Sequence, residues 1–226
     1  MNDDVLVLES VSKSFVSAGE ELRILDRLDL VIPRTSRTVI IGESGCGKST
    51  LLNIIGGLEP PTSGSVQAGP FRVETLDEKE LTRYRSAFLG LVFQFHYLLK
   101  DFTALENVML PAFMAGMKKK EALERARALL ADVHLENRLH HFPSQMSGGE
   151  RQRAAVARAL VNGPSLVLAD EPTGNLDPAN AETVKELLFS VVSRHANTLV
   201  LVTHDREIAS LADSCYALQG GRLVRQ

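Results

Sequence analysis

Gly42-Glu43-Ser44-Gly45-Cys46-Gly47-Lys48-Ser49-Thr50 follows the apolar run Val39-Ile40-Ile41 and leads into Leu51-Leu52-Asn53-Ile54-Ile55. The order of characters predicts a strand, a loop and a helix. Gly42, Gly47, Lys48 and Ser49 stand at the spacing G-x-x-x-x-G-K-[ST], in which glycines let the backbone curl until successive N–H groups face one anion. The helix starting near Lys48 turns its positive end toward the same point. Such a loop suits the phosphates of a nucleoside triphosphate, with Lys48 reaching the outer phosphates as a point charge and the Ser49 hydroxyl as a magnesium ligand. A glycine-rich turn with a purely structural role would call for no lysine at that place and no hydroxyl after it.

Composition narrows the setting. A chain of 226 residues is long enough for one large α/β domain or a core with a subdomain. The net charge of -3 and the lack of a long basic run argue against nucleic acid as the main partner. Lys118-Lys119-Lys120 is the one basic cluster and precedes a helical pattern; it reads as a solvated helix start, with contact to anionic lipid or RNA as the other reading. Met1-Asn2-Asp3-Asp4 is acidic where a secretory leader is basic, so no export is expected. The longest apolar stretch, residues 88–99, is short for a bilayer span and is interrupted by Gln94 and His96. Cys46 and Cys215 form neither a disulfide framework nor a zinc spacing, which suits a reducing cytosol. Cys46 also lies beside Lys48 at a helix start, surroundings that make a thiol reactive.

Residues 5–15 and 22–32 are apolar and β-branched, predicting strands on either side of a turn at Ser17-Ala18-Gly19. Phe15 has two readings, a core ring or one that stacks on a nucleobase. Helical character runs over 76–84, 103–116 and 118–130, and a strand over 88–93 delivers Gln94. Met146-Ser147-Gly148-Gly149-Glu150-Arg151-Gln152-Arg153 precedes a helix reaching Leu160. Ser147 fits an N-cap that needs no ligand, and equally a helix N-terminus that takes an anion. Ser165-Leu166-Val167-Leu168-Ala169 predicts a buried strand ending in Asp170-Glu171-Pro172. In a P-loop protein the first acid fits support of Mg²⁺ and the second accepts a proton from an attacking water. Gly174-Asn175-Leu176-Asp177-Pro178 is a turn that starts a helix through Leu187, and the strand 198–202 ends in Thr203-His204-Asp205. His204 reads as a capping or core residue, or as a ligand-site residue at a strand end.

Taken in this order the motifs resemble those of the nucleotide-binding subunits of ABC transporters, over residues 5–225. The resemblance implies an α/β fold, a P-loop NTPase (RecA-like) core with an antiparallel β subdomain and an inserted α-helical subdomain. It implies one domain in which residues 1–95 and 160–226 make the catalytic core and 96–159 the helical subdomain carrying the signature. It places the adenine contact on Phe15, the ATP phosphates on Gly42 to Thr50, and the signature on Ser147, Gly148 and Gly149, acting in trans. The glutamine of the Q-loop falls on Gln94, the Walker B acid on Asp170, the catalytic glutamate on Glu171, the D-loop on Asn175-Leu176-Asp177 and the switch histidine on His204. Cofactors are then ATP and Mg²⁺, the ion held by Ser49, Gln94 and Asp170, with Glu171, His204 and Gln94 catalytic. The pattern departs from the family's commoner residues at Phe15, Cys46 and Met146. Residues 93–108 are similar to those of LolD-type ATPases, which power lipoprotein release from the inner membrane in diderm bacteria, although Lys100 stands where proline is usual. Residues 169–177 are shared with MacB-type efflux and FtsE-type division ATPases. The resemblance therefore implies separate LolC/LolE-like permease subunits, a head-to-tail dimer of the chain, and a peripheral place on the cytoplasmic face of the inner membrane.

Overall fold

The computed structural model describes residues 4–17 and 20–226. Ala18 and Gly19, the centre of the turn expected ahead of the second strand, lie outside the described residues, as do the first three residues of the acidic start. In chain order the elements are β1 (Asp4–Ser17), β2 (Glu20–Pro33), β3 (Arg37–Ile41), α1 (Lys48–Ile55), β4 (Ser63–Ala68), β5 (Phe71–Arg72) and α2 (Glu78–Ala87). There follow β6 (Leu89–Val92), α3 (Ala104–Met114), α4 (Lys119–Asp132), α5 (Gly148–Leu160), β7 (Leu166–Asp170), α6 (Pro178–Arg194), β8 (Thr198–Thr203), β9 (Ser214–Gln219) and β10 (Arg222–Arg225). The chain forms two compact units, one of residues up to 85 with 198–226, the other of residues 86–197.

In the first unit β2, β1, β4 and β5 make an antiparallel sheet in that order. Along β2, Leu28, Leu30 and Ile32 are buried while Val31 is half exposed, the period-two pattern of a strand with one covered face. Opposite them Leu8 pairs with Leu30 and Leu6 with Ile32. The same unit holds β3 between β8 and β9, parallel to both, with β10 returning antiparallel on β9. Val39, Ile40 and the run Leu199 to Val202 are fully buried, as expected of strands covered on both faces. Tyr84 of α2 is buried and donates its hydroxyl to Ile55 O at 2.6 Å; burial pushes its pKa far above the ordinary value.

The second unit pairs β6 and β7 in parallel, with Gly90 opposite Val167. Three of its helices, α3, α5 and α6, begin on explicit side-chain caps. Thr103 and Glu106 form a capping box on α3, Ser147 and Glu150 one on α5, and Asp177 caps α6 by accepting from Asn180 N at 3.1 Å. The stripe Ala122, Ala126, Leu129 and Leu130 on α4 is buried, while Lys118, Lys119 and Lys120 are exposed at its start. α6 runs to Arg194, past the end expected at Leu187. Val191 and Val192 continue its buried face, and the stop comes from Ala196, whose φ of 52° is left-handed.

Candidate active site

The phosphate loop leaves the first unit's sheet at a fixed point, because Gly42 N donates to Thr203 O at 3.2 Å. A Cβ on Gly42 would stand 2.6 Å from Cys46 Sγ and 2.9 Å from Leu218 O, so only glycine fits where the loop folds back. Gly47 has φ 107° and its missing Cβ would fall 2.8 Å from Ile24 Cγ2. The loop can therefore curl, and its N–H groups can point inward. Lys48 is buried and donates to Gly42 O and Glu43 O at 2.8 and 2.9 Å, holding the curl from inside. Ser49 is exposed on the first turn of α1, where a hydroxyl can reach a cation beside the phosphates.

His204 follows β8 and is exposed, which removes the core reading. With Gly42, Glu43, Cys46 and Arg206 it lines a cavity of about 380 Å³. Leu218, Gln219 and Gly220 close the same cavity from the β9–β10 hairpin, which the sequence reading did not anticipate. Phe15 is 40% exposed, so it does not fill the core. Lys13 Nζ sits 4.9 Å from its ring centroid and is itself held by Pro60 O at 2.8 Å and the Glu59 carboxylate at 2.9 Å. A pinned ammonium against one face fixes the ring and leaves exposed ring surface on which a base can stack. The spacing of two between Lys13 and Phe15 on one strand was the available signal.

The second unit carries the acids. Asp170 ends β7, and Glu171 follows with φ 44°, in the left-handed region. Gly174 N closes the turn on Glu171 O at 3.0 Å, and a Cβ at Gly174 would lie 3.0 Å from Gln94 Nε2. Gln94 is thus brought against the turn that carries Glu171. It is held there by Asn175, which accepts from Gln94 Nε2 at 3.2 Å and donates to Gln94 O at 3.3 Å.

Ser147 is exposed and accepts from Glu150 N at 3.2 Å, while Glu150 Oε2 accepts from Ser147 N at 2.7 Å. The capping role is therefore real, and Ser147 itself stays exposed. The Ser147 N–H, followed by Arg138 at 2.7 Å, draws the Glu150 carboxyl down to about 2. Its folded pKa lies below the ordinary 4.5, so this stabilisation is complete above that value and is lost as pH falls toward 2. Gly149 lies against Asn180, so the starts of α5 and α6 touch where a side chain would not fit.

Residues 25–174 match the family model described as ABC transporter. The chain belongs to the ABC transporter family. This cassette is 63% identical to the lipoprotein-releasing system ATP-binding protein LolD of Treponema denticola, over 99% of each chain. It is 59% identical to the protein of the same name from Treponema pallidum, over the full length of both. Among solved structures it is similar to the dimeric post-hydrolysis state of the ATP-binding cassette MJ0796 bound to ADP and Pi. That likeness has a TM-score of 0.89 and 38% identity, over 98% of this chain and 97% of that one. The cassette is thus an ABC ATPase with the expected P-loop core, antiparallel β sheet and helical part.

Cys46 gives this cassette a chemical handle in the loop itself. Its Sγ lies against Gly42, so alkylation adds bulk inside the curl. N-ethylmaleimide is expected to inactivate the ATPase, MgATP to protect it, and Cys46→Ser to resist. Equal sensitivity of Cys46→Ser would move the effect elsewhere.

Proposed function

We propose that this ABC ATPase drives the release of lipoproteins from the inner membrane toward the outer membrane. The observation that carries the reading is the 63% identity, end to end, with a protein named for that system.

In the catalytic cycle, the curled N–H groups of Gly42 to Thr50 and the Lys48 ammonium hold the phosphates of ATP, and Phe15 stacks on the adenine. Ser49, Gln94 and Asp170 offer a hydroxyl, an amide oxygen and a carboxylate, a set of hard oxygen donors that suits Mg²⁺. The ion, when bound, neutralises charge on the outer phosphates. Glu171 accepts the proton of the attacking water as the bond from the γ-phosphorus to the ADP oxygen breaks. His204 contacts the γ-phosphate and keeps the active geometry. Ser147, Gly148 and Gly149 act on the ATP of a second copy bound head to tail; the dimeric form of MJ0796 supports the pairing of two copies.

The membrane partner is a separate polypeptide, LolC/LolE-like, and the cassette sits peripherally on the cytoplasmic face of the inner membrane. Among the described residues no helix is long and apolar enough to cross a membrane. Phe95 and Tyr97 are 60% and 63% exposed, and Leu99 and Phe102 follow them at the surface. Aromatic rings grouped in this way mark a contact face, here for a cytoplasmic helix of the permease. Isolation from detergent-solubilised membranes is expected to bring down two different membrane subunits. Phe95→Asp with Tyr97→Asp is expected to lower that recovery at least ~10-fold, since each carboxylate would be buried unpaired. Intact recovery would remove residues 95–105 as the docking face. A single partner recovered with division proteins would favour FtsE-type signalling instead.

A further inference from the structure

The helix that begins with Ser147 also grips the segment that follows β6. Gln152 Nε2 donates to Phe93 O at 2.9 Å. Two turns further on, the half-buried Arg158 donates through Nη2 to His96 O at 2.8 Å and through Nη1 to Tyr97 O at 2.7 Å. At its end α5 meets β6 backbone to backbone, for a Cβ on Gly90 would run into Ala159 O. One guanidinium thus spans two successive carbonyls, a geometry that its planar fork meets and a lysine does not. The segment it holds is bent. Tyr97 has φ 45°, and its ring packs edge-on against Phe93 at 5.5 Å and beside Phe95 at 6.2 Å. His96 Nδ1 accepts from Leu98 N at 3.3 Å, the role of a neutral imidazole. Burial, then the charges of Arg151 and Arg158, push its pKa down and keep it in that form.

A shift of the backbone that carries the exposed rings of Phe95 and Tyr97 therefore drags the carbonyls that Arg158 holds. Those carbonyls pull on a helix whose other end is the exposed cap at Ser147. We propose that Arg158 is a positioning residue that couples the docking face at Phe95 and Tyr97 to the nucleotide-facing start of α5. The proposal rests on the docking face assigned above. Without the guanidinium the rings still present their apolar surface, and α5 still carries Ser147, but load on one reaches the other only weakly, through Gln152 on Phe93 O ahead of the rings.

Arg158→Met and Arg158→Lys separate this role from a merely structural one when each is measured alone and with the membrane subunits. For Arg158→Met, ATPase of the isolated cassette is expected within about 2-fold of the parent. Recovery with the membrane subunits should be unchanged, and turnover in the reconstituted complex should fall at least ~10-fold, the loss expected when a charged hydrogen-bonded link is removed. Arg158→Lys, which keeps the charge and reaches one carbonyl, should fall between. Full turnover of Arg158→Met in the complex, or an equal loss in the isolated cassette, overturns the proposal. Should Arg158→Met not fold, amide exchange on the parent decides: binding the membrane subunits should protect residues 94–98 and 147–152 together, and protection of the first alone overturns it. Failure of the docking face reads out separately, as intact recovery of the Phe95→Asp with Tyr97→Asp variant.

Discussion

Glu171→Gln is expected to lower ATP turnover by about 10²–10⁴ while leaving ATP affinity nearly unchanged. The amide keeps the shape of the carboxylate, and the turn around it is closed through the main chain, by Gly174 N on Glu171 O. Pro172 next to it is buried and anchors the turn independently of the side chain. What disappears, on the role proposed for Glu171, is the proton acceptor for the attacking water. Binding and dimerisation precede that step, so the variant should accumulate as a nucleotide-loaded dimer. Single-turnover release of phosphate, equilibrium ATP binding and gel filtration with MgATP measure the three quantities. Turnover within 2-fold of the parent would take the general-base role away from Glu171.

Lys48→Ala should act at the earlier step. A hydrogen bond to a charged group contributes about 1.5–3 kcal/mol, so loss of the ammonium should weaken ATP binding about 10–100-fold, with turnover falling below detection. The loop itself also loosens, because Gly42 O and Glu43 O lose the donor they share. Lys48→Arg should not restore binding: Lys48 is 6% exposed inside the curl, and a guanidinium is wider than the space an ammonium occupies. Titration of ATP against both variants, with thermal melting to show that each is folded, makes the comparison. Unchanged affinity in Lys48→Ala would remove this lysine from the phosphate site.

The phosphate loop could be read from the chain because its chemistry demands particular residue types at fixed places. Gly47 is a case in point. The left-handed backbone and the neighbouring Ile24 both exclude a side chain there, so the glycine in the motif and the glycine in the fold answer one requirement. Strands β3, β7 and β8 were equally legible as continuous apolar runs. The end of α6 was not, since its stop is Ala196, a residue that gives no warning of a left-handed turn. Strands β9 and β10 escaped notice because Ser214, Cys215 and Tyr216 are all half-buried and do not alternate. The one signal for the hairpin between them was the pair Gly220-Gly221, both at positive φ, and it went unread. Lys13, Arg158 and the hold of Asn175 on Gln94 were missed for another reason. Each rests on a bond to a residue far along the chain, and such partners leave no period in a sequence.

The left-handed backbone at Glu171 sets the needs of turnover against those of durability. A side chain with a Cβ is disfavoured in that region by roughly 1–2 kcal/mol, and glycine is not. The turn at the end of β7 would be more at ease with the residue that has no carboxylate. A search for heat-resistant variants that ignored activity would therefore be drawn to Glu171→Gly, gaining melting temperature as it discarded the reaction. The least comfortable backbone in this turn belongs to the residue proposed as the base in hydrolysis.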